Sequence, residues 1–202
     1  PIILSESGDN ISDYEKVGKL CISFPWPSMA RTIWGDHNRY INTYFSTFDN
    51  KYFTGDGAYK DKLGNIRITG RVDDVVIVSG HNLGTAPIED AINEHNLVAE
   101  SAIVGYPHEI KGNALYGFIT LNTENFDENI LMKQINKIIS KRIGPIAKLQ
   151  KIQFTKALPK TRSGKIMRRI LRKVAARDIG DLGDISTLLN PNVVKEIIAN
   201  SQ

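Results

Sequence analysis

Beyond residue 75 the apolar residues switch repeatedly between two spacings, and that switching limits the fold more than any other feature of the chain. VVIVSG at 75–80 is a short β-branched run ended by glycine and predicts a strand. A helix is expected from near Ala86 to around His95, capped by Thr85, with Pro87 in its first turn and Glu89 and Asp90 placed for the helix dipole. VAESAIVGY at 98–106 and ALYGFITL at 114–121 predict two more strands. Asp127 or Asn125 starts a second helix, with Leu131, Ile135, Ile138 and Ile139 as its buried stripe and Lys133, Lys137 and Lys141 on another face. KIQFT at 151–155 suits a strand, and Pro159 and Gly164 then break regular structure. IMRRILRKVAAR predicts a basic amphipathic helix with Ile166, Ile170, Leu171 and Val174 inward. The order strand, helix, strand, strand, helix, strand, helix implies a small α+β domain whose helices cover a short sheet.

The preceding residues read differently. GKLCISFPWPS predicts a short strand leading into a proline-rich turn. MARTIWGDHNRYINTYFSTFDNKYFTGD is rich in aromatics without a clean period, which suits packing against residues outside this chain. NIRITG at 65–70 predicts a strand joined to VVIVSG by a charged turn holding Arg71, Asp73 and Asp74, and a domain boundary is expected there.

At 202 residues, with 41% hydrophobic and 24% charged residues, the chain has the size for one generous core or two small ones, and disorder over most of it is excluded. No stretch approaches the roughly 20 apolar residues that cross a bilayer, and no secretory signal is present, so a cytoplasmic location is expected. Cys21 is the only cysteine, which excludes an internal disulfide and a thiolate metal cluster. The chain begins at Pro1 without an initiator methionine, and a fragment is expected. Its charge is segregated. Residues 129–177 carry fifteen Lys and Arg and no Asp or Glu, so of the 26 basic and 22 acidic residues eleven and twenty-two lie elsewhere. Such a block implies an acidic face within the fold, a phosphorylated ligand or nucleic acid.

LPKTRSGKIMRRILRK at 158–173 concentrates that charge in Lys160, Arg162, Lys165, Arg168, Arg169, Arg172 and Lys173. A phosphate-binding P-loop needs glycine at Pro159 and a hydroxyl at Ile166, so it is excluded. What remains is Lys165 on a loop, freed by Gly164 and followed by a helix whose dipole adds positive potential. It is either a solvated lysine or one that meets an anion in a closed site, where preorganised charge is worth about 3 kcal/mol of barrier. Asp56, between glycines in YFTGDGAY, is either a turn residue or an acceptor-only carboxylate for two ribose hydroxyls. Lys60 spoils a Gly-x-Gly-x-x-Gly pattern there. Arg71 and Asp73 suit a structural pair or an exposed turn, and SGHNLG a glycine-bearing turn before a helix, where backbone amides can receive phosphate. His81, His95 and His108 are too scattered for zinc.

YFTGD, ITGRVDD, SGHNLGT, AIVGYPHEIKG and LPKTRSGKIMRR stand in the order found in the adenylate-forming enzymes, and from about Gly18 to Asn190 the chain resembles that acyl- and aryl-CoA synthetase family. WPSMARTIWGDHNRY and TYFSTF resemble its acetyl-CoA synthetase branch. The resemblance implies activation of a carboxylate by ATP to an acyl-adenylate, with pyrophosphate released, then transfer of the acyl group to coenzyme A. It implies Mg2+, and it assigns Asp56 to the ribose, Arg71 and Asn82 to the nucleotide, Asp73 to a hinge and Lys165 to adenylation. Ser79 and Gly80 fall at the CoA channel, Ser140 and Arg142 near the CoA phosphate, and Asn93, His95 and Val98 at a magnesium site.

Two residues depart from the family pattern: Asn82 and Ser140 stand where its members carry a cation, although Lys141 or Arg142 can substitute for the second. The expected organisation is the tail of a large domain (1–72) and a mobile lid (73–202), inactive alone. Acetate is the expected acid, with propionate or a similar acid as the alternative. Enzymes that acylate and deacylate Lys165 are expected partners; a membrane or nucleic acid is not. A basic nucleic-acid module at 129–177 is the reading from another class, and it has only Phe154 for base stacking. A domain that regulates a partner in trans is the third.

Overall fold

The computed structural model describes residues 1–201, which divide into two compact units, Pro1–Asp74 and Val75 onward. The first unit is an antiparallel sheet of β1 (Ile2–Leu4), β2 (Gly18–Ile22), β3 (Tyr52–Lys60) and β4 (Ile66–Arg71), paired in chain order. Between β2 and β3 the aromatic stretch forms helix α1 (His37–Tyr44), started by Asp36, whose Oδ1 accepts the Arg39 amide at 2.9 Å. The helix buries Tyr40, and Tyr44 stacks on Tyr52 of β3 with ring centroids 4.7 Å apart. These aromatics pack on one another, which the sequence pattern did not suggest.

The Gly55-Asp56-Gly57 stretch is strand, not turn, within the nine residues of β3. Its glycines serve an irregular ladder: Gly55 has φ +80° and the register shifts between Gly57 and Ala58. NIRITG and VVIVSG both form strands, each in its own sheet. A single 3₁₀ turn, Val72–Asp74, follows β4, and β5 (Val75–Val78) pairs with β6 (His81–Gly84). The reason is local. Ser79 and Gly80 both have positive φ, 49° and 81°, the two-residue geometry that closes a hairpin with matching twist. Of SGHNLG, only those two residues are turn.

Helix α2 (Thr85–Asn93) starts with Thr85 already helical; Gly84 occupies the capping position and makes no side-chain bond. Strands β7 (Val98–His108) and β8 (Gly112–Leu121) form a long antiparallel hairpin, and β9 (Lys151–Phe154) adds parallel to β8. The parallel join requires a crossover, supplied by α3 (Glu128–Arg142), which Asp127 caps by accepting the Ile130 amide at 2.9 Å. Leu131, Ile135 and Ile139 are buried, while Ile138 is only half-buried, so the stripe is narrower than expected. The last helices are α4 (Arg168–Ala175) and α5 (Asn192–Ala199). Helix α4 begins two residues later than its apolar pattern predicts, because Ile166 is held extended in a bridge to Lys160. Helix α5 lies beyond the elements expected from the sequence.

Period-two alternation divides the sheet into two faces. Ile103, Leu115 and Ile119 meet α2, α3 and Val76 and Val78 of β5, whereas Ala102, Val104, Tyr116 and Phe118 meet α4 and α5. The second unit is thus the expected α+β arrangement, helices covering both faces of a three-stranded sheet. Each fully buried Ile, Leu or Phe contributes about 1.5–3 kcal/mol. Gln153 polices the polar interior: its Oε1 accepts the Tyr116 hydroxyl at 3.0 Å and its Nε2 donates to the Ile197 carbonyl at 2.9 Å. Among the described residues no buried side-chain nitrogen or oxygen lacks a partner.

Candidate functional site

In the first unit Asp56 and Arg71 stand opposite each other across the β3–β4 ladder. The 3₁₀ turn brings Asp73 back beside the same guanidinium, whose Nε donates to Asp73 Oδ1 at 2.9 Å. Arg71 Nη1 donates to the Thr54 carbonyl at 3.2 Å and lies 3.7 Å from Asp56 Oδ1. The guanidinium covers Gly55, where a β-carbon would fall 2.7 Å from both terminal nitrogens. Glycine is needed there twice, for its left-handed backbone and for the space. The Asp73 hydrogen bond, set against partial burial, lifts Arg71 further above its high range, so the cation persists at every working pH. Three sequence candidates therefore meet, with a carboxylate able to accept a pair of hydroxyls beside a fixed cation.

Ser79, Gly80 and Asn82 share the β5–β6 hairpin and are exposed. The Ser79 amide donates to the Lys111 carbonyl at 3.1 Å, tying the hairpin tip to the β7–β8 turn, and the Ser79 carbonyl lies 3.1 Å from His81 Nδ1. Backbone of this kind, without bulky side chains, lets a ligand approach closely.

Asn93, His95 and Val98 gather where α2 leads into β7. Asn93 Oδ1 accepts the Ser101 hydroxyl at 2.9 Å, and the Val98 carbonyl accepts from Asn122 Nδ2 at 3.3 Å. His95 Nδ1 accepts the Leu97 amide at 3.2 Å, and Nε2 lies 3.1 Å from Gln134 Oε1, so one neutral tautomer satisfies both nitrogens. Magnesium demands hard oxygen ligands in near-octahedral array. As side-chain donors these three residues do not fit it, since Asn93 Oδ1 is already engaged, the histidine offers only nitrogen and valine offers no donor; the hard oxygens they could still give are backbone carbonyls. Among the described residues no cluster of three or more His, Cys, Asp or Glu could hold a metal.

At the end of α3 the Ser140 hydroxyl donates to the Asn136 carbonyl at 2.7 Å, a bond within its own helix. Arg142 grips Glu94 with two bonds, Nε to Oε2 at 3.2 Å and Nη2 to Oε1. Both side chains of that pair are half exposed or more, and such pairs are worth about 0–1 kcal/mol, so Arg142 exchanges partners at little cost.

Lys165 sits on a tight loop. The Thr161 amide donates to the Lys165 carbonyl at 2.8 Å, the Lys165 amide to Thr161 Oγ1 at 3.1 Å, and Gly164, at φ +84°, makes the turn. The side chain is exposed, and among the described residues no carboxylate pairs with it. Its basic neighbours are largely committed within the fold. Lys160 pairs with Glu100 at 2.6 Å, Arg168 with Glu89 at 2.5 Å and Lys173 with Asp181 at 3.9 Å, while Arg169 donates to the Leu182 and Asp184 carbonyls. Much of the acid-free block therefore meets an acidic or carbonyl face of its own unit.

Glu89 does more than complement the helix dipole, the role its place near the start of the helix suggests. It is buried, and Oε1 accepts the Ile103 amide at 2.8 Å. The signal was present, since Glu89 shares the inward stripe of α2 with Thr85, Ile88 and Ile92.

Residues 87–165 match the family model described as the AMP-binding enzyme C-terminal domain. Residues 87–165 carry that domain. The match runs from the first turn of α2 to Lys165 itself, so within the AMP-binding enzyme C-terminal domain lie Asn93, His95, Val98, Ser140, Arg142 and Lys165. The acetyl-coenzyme A synthetase of Rhizobium meliloti is 54% identical over 197 residues, which cover 98% of this chain and 30% of that protein. That of Rhizobium rhizogenes is 57% identical over 185 residues, 92% of this chain and 28% of that protein. The chain thus spans about 30% of the length of the curated relatives it matches. Among solved structures, the acetoacetyl-CoA synthetase from Streptomyces lividans superposes with a TM-score of 0.82 at 22% identity, over 98% of this chain and 30% of that one. An anthranilate CoA ligase in complex with anthranoyl-AMP gives 0.77 at 24% identity, over 88% and 33%. These two support the fold of the AMP-binding enzyme C-terminal domain. No described helix is long and apolar enough to cross a membrane.

Proposed function

We propose that the chain is the C-terminal part of an AMP-forming acetate–CoA ligase, with residues 1–72 completing a larger adenylating domain and 73–202 forming its mobile lid. The observation that carries this reading is the 54% identity to an acetyl-coenzyme A synthetase over 98% of the chain, a stretch that includes the Lys165 loop. Acetate attacks the α-phosphorus of ATP, the bond to pyrophosphate breaks, and acetyl-adenylate forms. The thiolate of CoA then attacks the acetyl carbonyl carbon, and AMP leaves with the electron pair of the broken anhydride bond.

The Asp56 carboxylate accepts the ribose hydroxyls, and Arg71, fixed by Asp73, supplies a constant positive charge beside it. Lys165 brings an ammonium to the phosphate as negative charge builds there, a contribution of about 3 kcal/mol. Asp73 lies in the 3₁₀ turn that closes the first unit at Asp74 and serves as the pivot. Ser79 and Gly80 border the CoA path, and Arg142 leaves Glu94 for a CoA phosphate, a task that Ser140 does not perform. Asn82 contacts the nucleotide without charge. Magnesium bound with ATP would offset the charge of its phosphates, and no step is assigned to Asn93, His95 or Val98.

Acylation of Lys165 removes its charge and stops the first half-reaction, so acylating and deacylating enzymes control the protein in the cytoplasm. The experiment joins this chain to the upstream part of the Rhizobium meliloti relative and measures pyrophosphate exchange with acetate, propionate and butyrate. Exchange with acetate, abolished by Lys165→Gln, is expected; exchange undiminished by that change overturns the reading. Preference for propionate shifts the assignment to a divergent short-chain acyl-CoA synthetase.

A further inference from the structure

The loop that bears Lys165 is anchored on both sides by ion pairs whose acidic partners lie on other elements. After the loop, Arg168 opens α4 and donates from Nε to Glu89 Oε1 at 3.2 Å and from Nη2 to Oε2 at 2.5 Å. Before it, Lys160 Nζ lies 2.6 Å from Glu100 Oε2. Between the anchors Ile166 bridges back to Lys160, and the Met167 amide donates to the Pro159 carbonyl at 2.7 Å. Little slack is left in the backbone that carries Lys165.

The two anchors differ in rigidity. The Lys160 and Glu100 side chains are 32% and 29% exposed, whereas that of Glu89 is 10% exposed. Glu89 also accepts the Ile103 amide, in the middle of β7, so both helix and strand fix its carboxylate. A forked guanidinium bound to a fixed carboxylate is set in orientation as well as distance. The carboxylate does not follow the loop; the loop follows the carboxylate.

We infer that Glu89 is a positioning residue for Lys165: acting through Arg168, it sets the direction in which the lysine ammonium is offered to the nucleotide. This rests on the adenylation role proposed above for Lys165. Breaking the pair leaves the lysine present and charged but badly aimed, and a misplacement of about 1 Å in a preorganised site costs on the order of 100-fold in rate. Transfer of the acetyl group to CoA, which does not use Lys165, is spared.

The test uses the joined protein with Glu89→Gln, Arg168→Met, Arg168→Lys and Lys165→Ala. Acetate-dependent pyrophosphate exchange and CoA acetylation from supplied acetyl-adenylate are measured separately, alongside the thermal midpoint. The expected result is an exchange rate lowered about 100-fold in Glu89→Gln and Arg168→Met, with CoA acetylation close to the parent rate. Arg168→Lys, which keeps the cation without the fork, recovers part of the exchange. Should Glu89→Gln not fold, Arg168→Lys carries the comparison. A parallel fall in both half-reactions makes the pair a structural brace and overturns the inference, as does undiminished exchange while Lys165→Ala abolishes it. Exchange that survives Lys165→Ala overturns the reading of the lysine, and the inference goes with it.

Discussion

Arg71 holds Asp73 at 2.9 Å through Nε, and that bond closes the 3₁₀ turn at which the first unit ends. The arrangement depends on Gly55, which has to be left-handed and has to leave room for the guanidinium. Gly35 is also left-handed, at φ +74°, but a β-carbon there meets nothing within 4 Å. Alanine at Gly35 is expected to cost about 1 kcal/mol of backbone strain. Alanine at Gly55 adds displacement of Arg71 and costs more. Urea unfolding of both variants, followed by tryptophan fluorescence, checks the difference; equal costs refute the steric part.

Acid should loosen the turn between β3 and β4. The Asp61 side chain accepts from Asn65 Nδ2 at 3.1 Å and from the Asn65 and Leu63 amides, each at 2.9 Å, and these bonds, the Asn65 side chain's first, hold its carboxyl below the usual range. A depressed folded pKa means stability that is present above the unfolded value, near 3.9, and lost as pH falls through the lower folded value. The Leu63 and Asn65 amide resonances are expected to move together in that acid window. In Asp61→Asn the movement should vanish, and its persistence would assign the change to another group.

The corrected stripe of α3 makes a stability prediction. Ile135 is fully buried between α3 and the sheet, so Ile135→Ala is expected to cost about 2–5 kcal/mol. Ile138→Ala, at a half-buried position, should cost distinctly less. Thermal unfolding of the pair decides it, and similar losses would restore Ile138 to the core.

Arg142→Met separates stability from chemistry. Its pair with Glu94 is exposed, so the loss of fold stability should stay below about 1 kcal/mol. In the joined protein the KM for CoA should rise while acetate-dependent pyrophosphate exchange is unchanged. An unaltered KM removes Arg142 from the CoA path.

What could be read from sequence was what local pattern controls. The strands around Ile103 and Ile119 and the helix around Ile135 follow from period alone, and the cap, Asp127, is one of the two residues, with Asn125, that the pattern allows. Pairing was harder. Nothing in NIRITG or VVIVSG says that neighbouring strands will turn to different partners; the Ser79-Gly80 geometry decides it, and serine is not an obvious left-handed residue. Gly55-Asp56-Gly57 carried the composition of a turn, yet its glycines serve a bulged strand and a guanidinium packed on the backbone. Among the site residues, Asp56, Arg71 and Asp73 were each named but not as one network, since ladder register joins the first two. Glu89 was misplaced because a buried acid is recognised by its partner, and Arg168 lies 79 residues away.

Helix α5 has a consequence for biosynthesis. Val193, Val194 and Ile197 share a core with Ile170, Leu171 and Val174 of α4 and with Phe118 of β8. The loop that bears Lys165 leaves the ribosome well before the helix that seals the greasy surface beneath it. A message cut short upstream of α5 would yield a sticky polypeptide destined for chaperones or proteases, and not a trimmed enzyme.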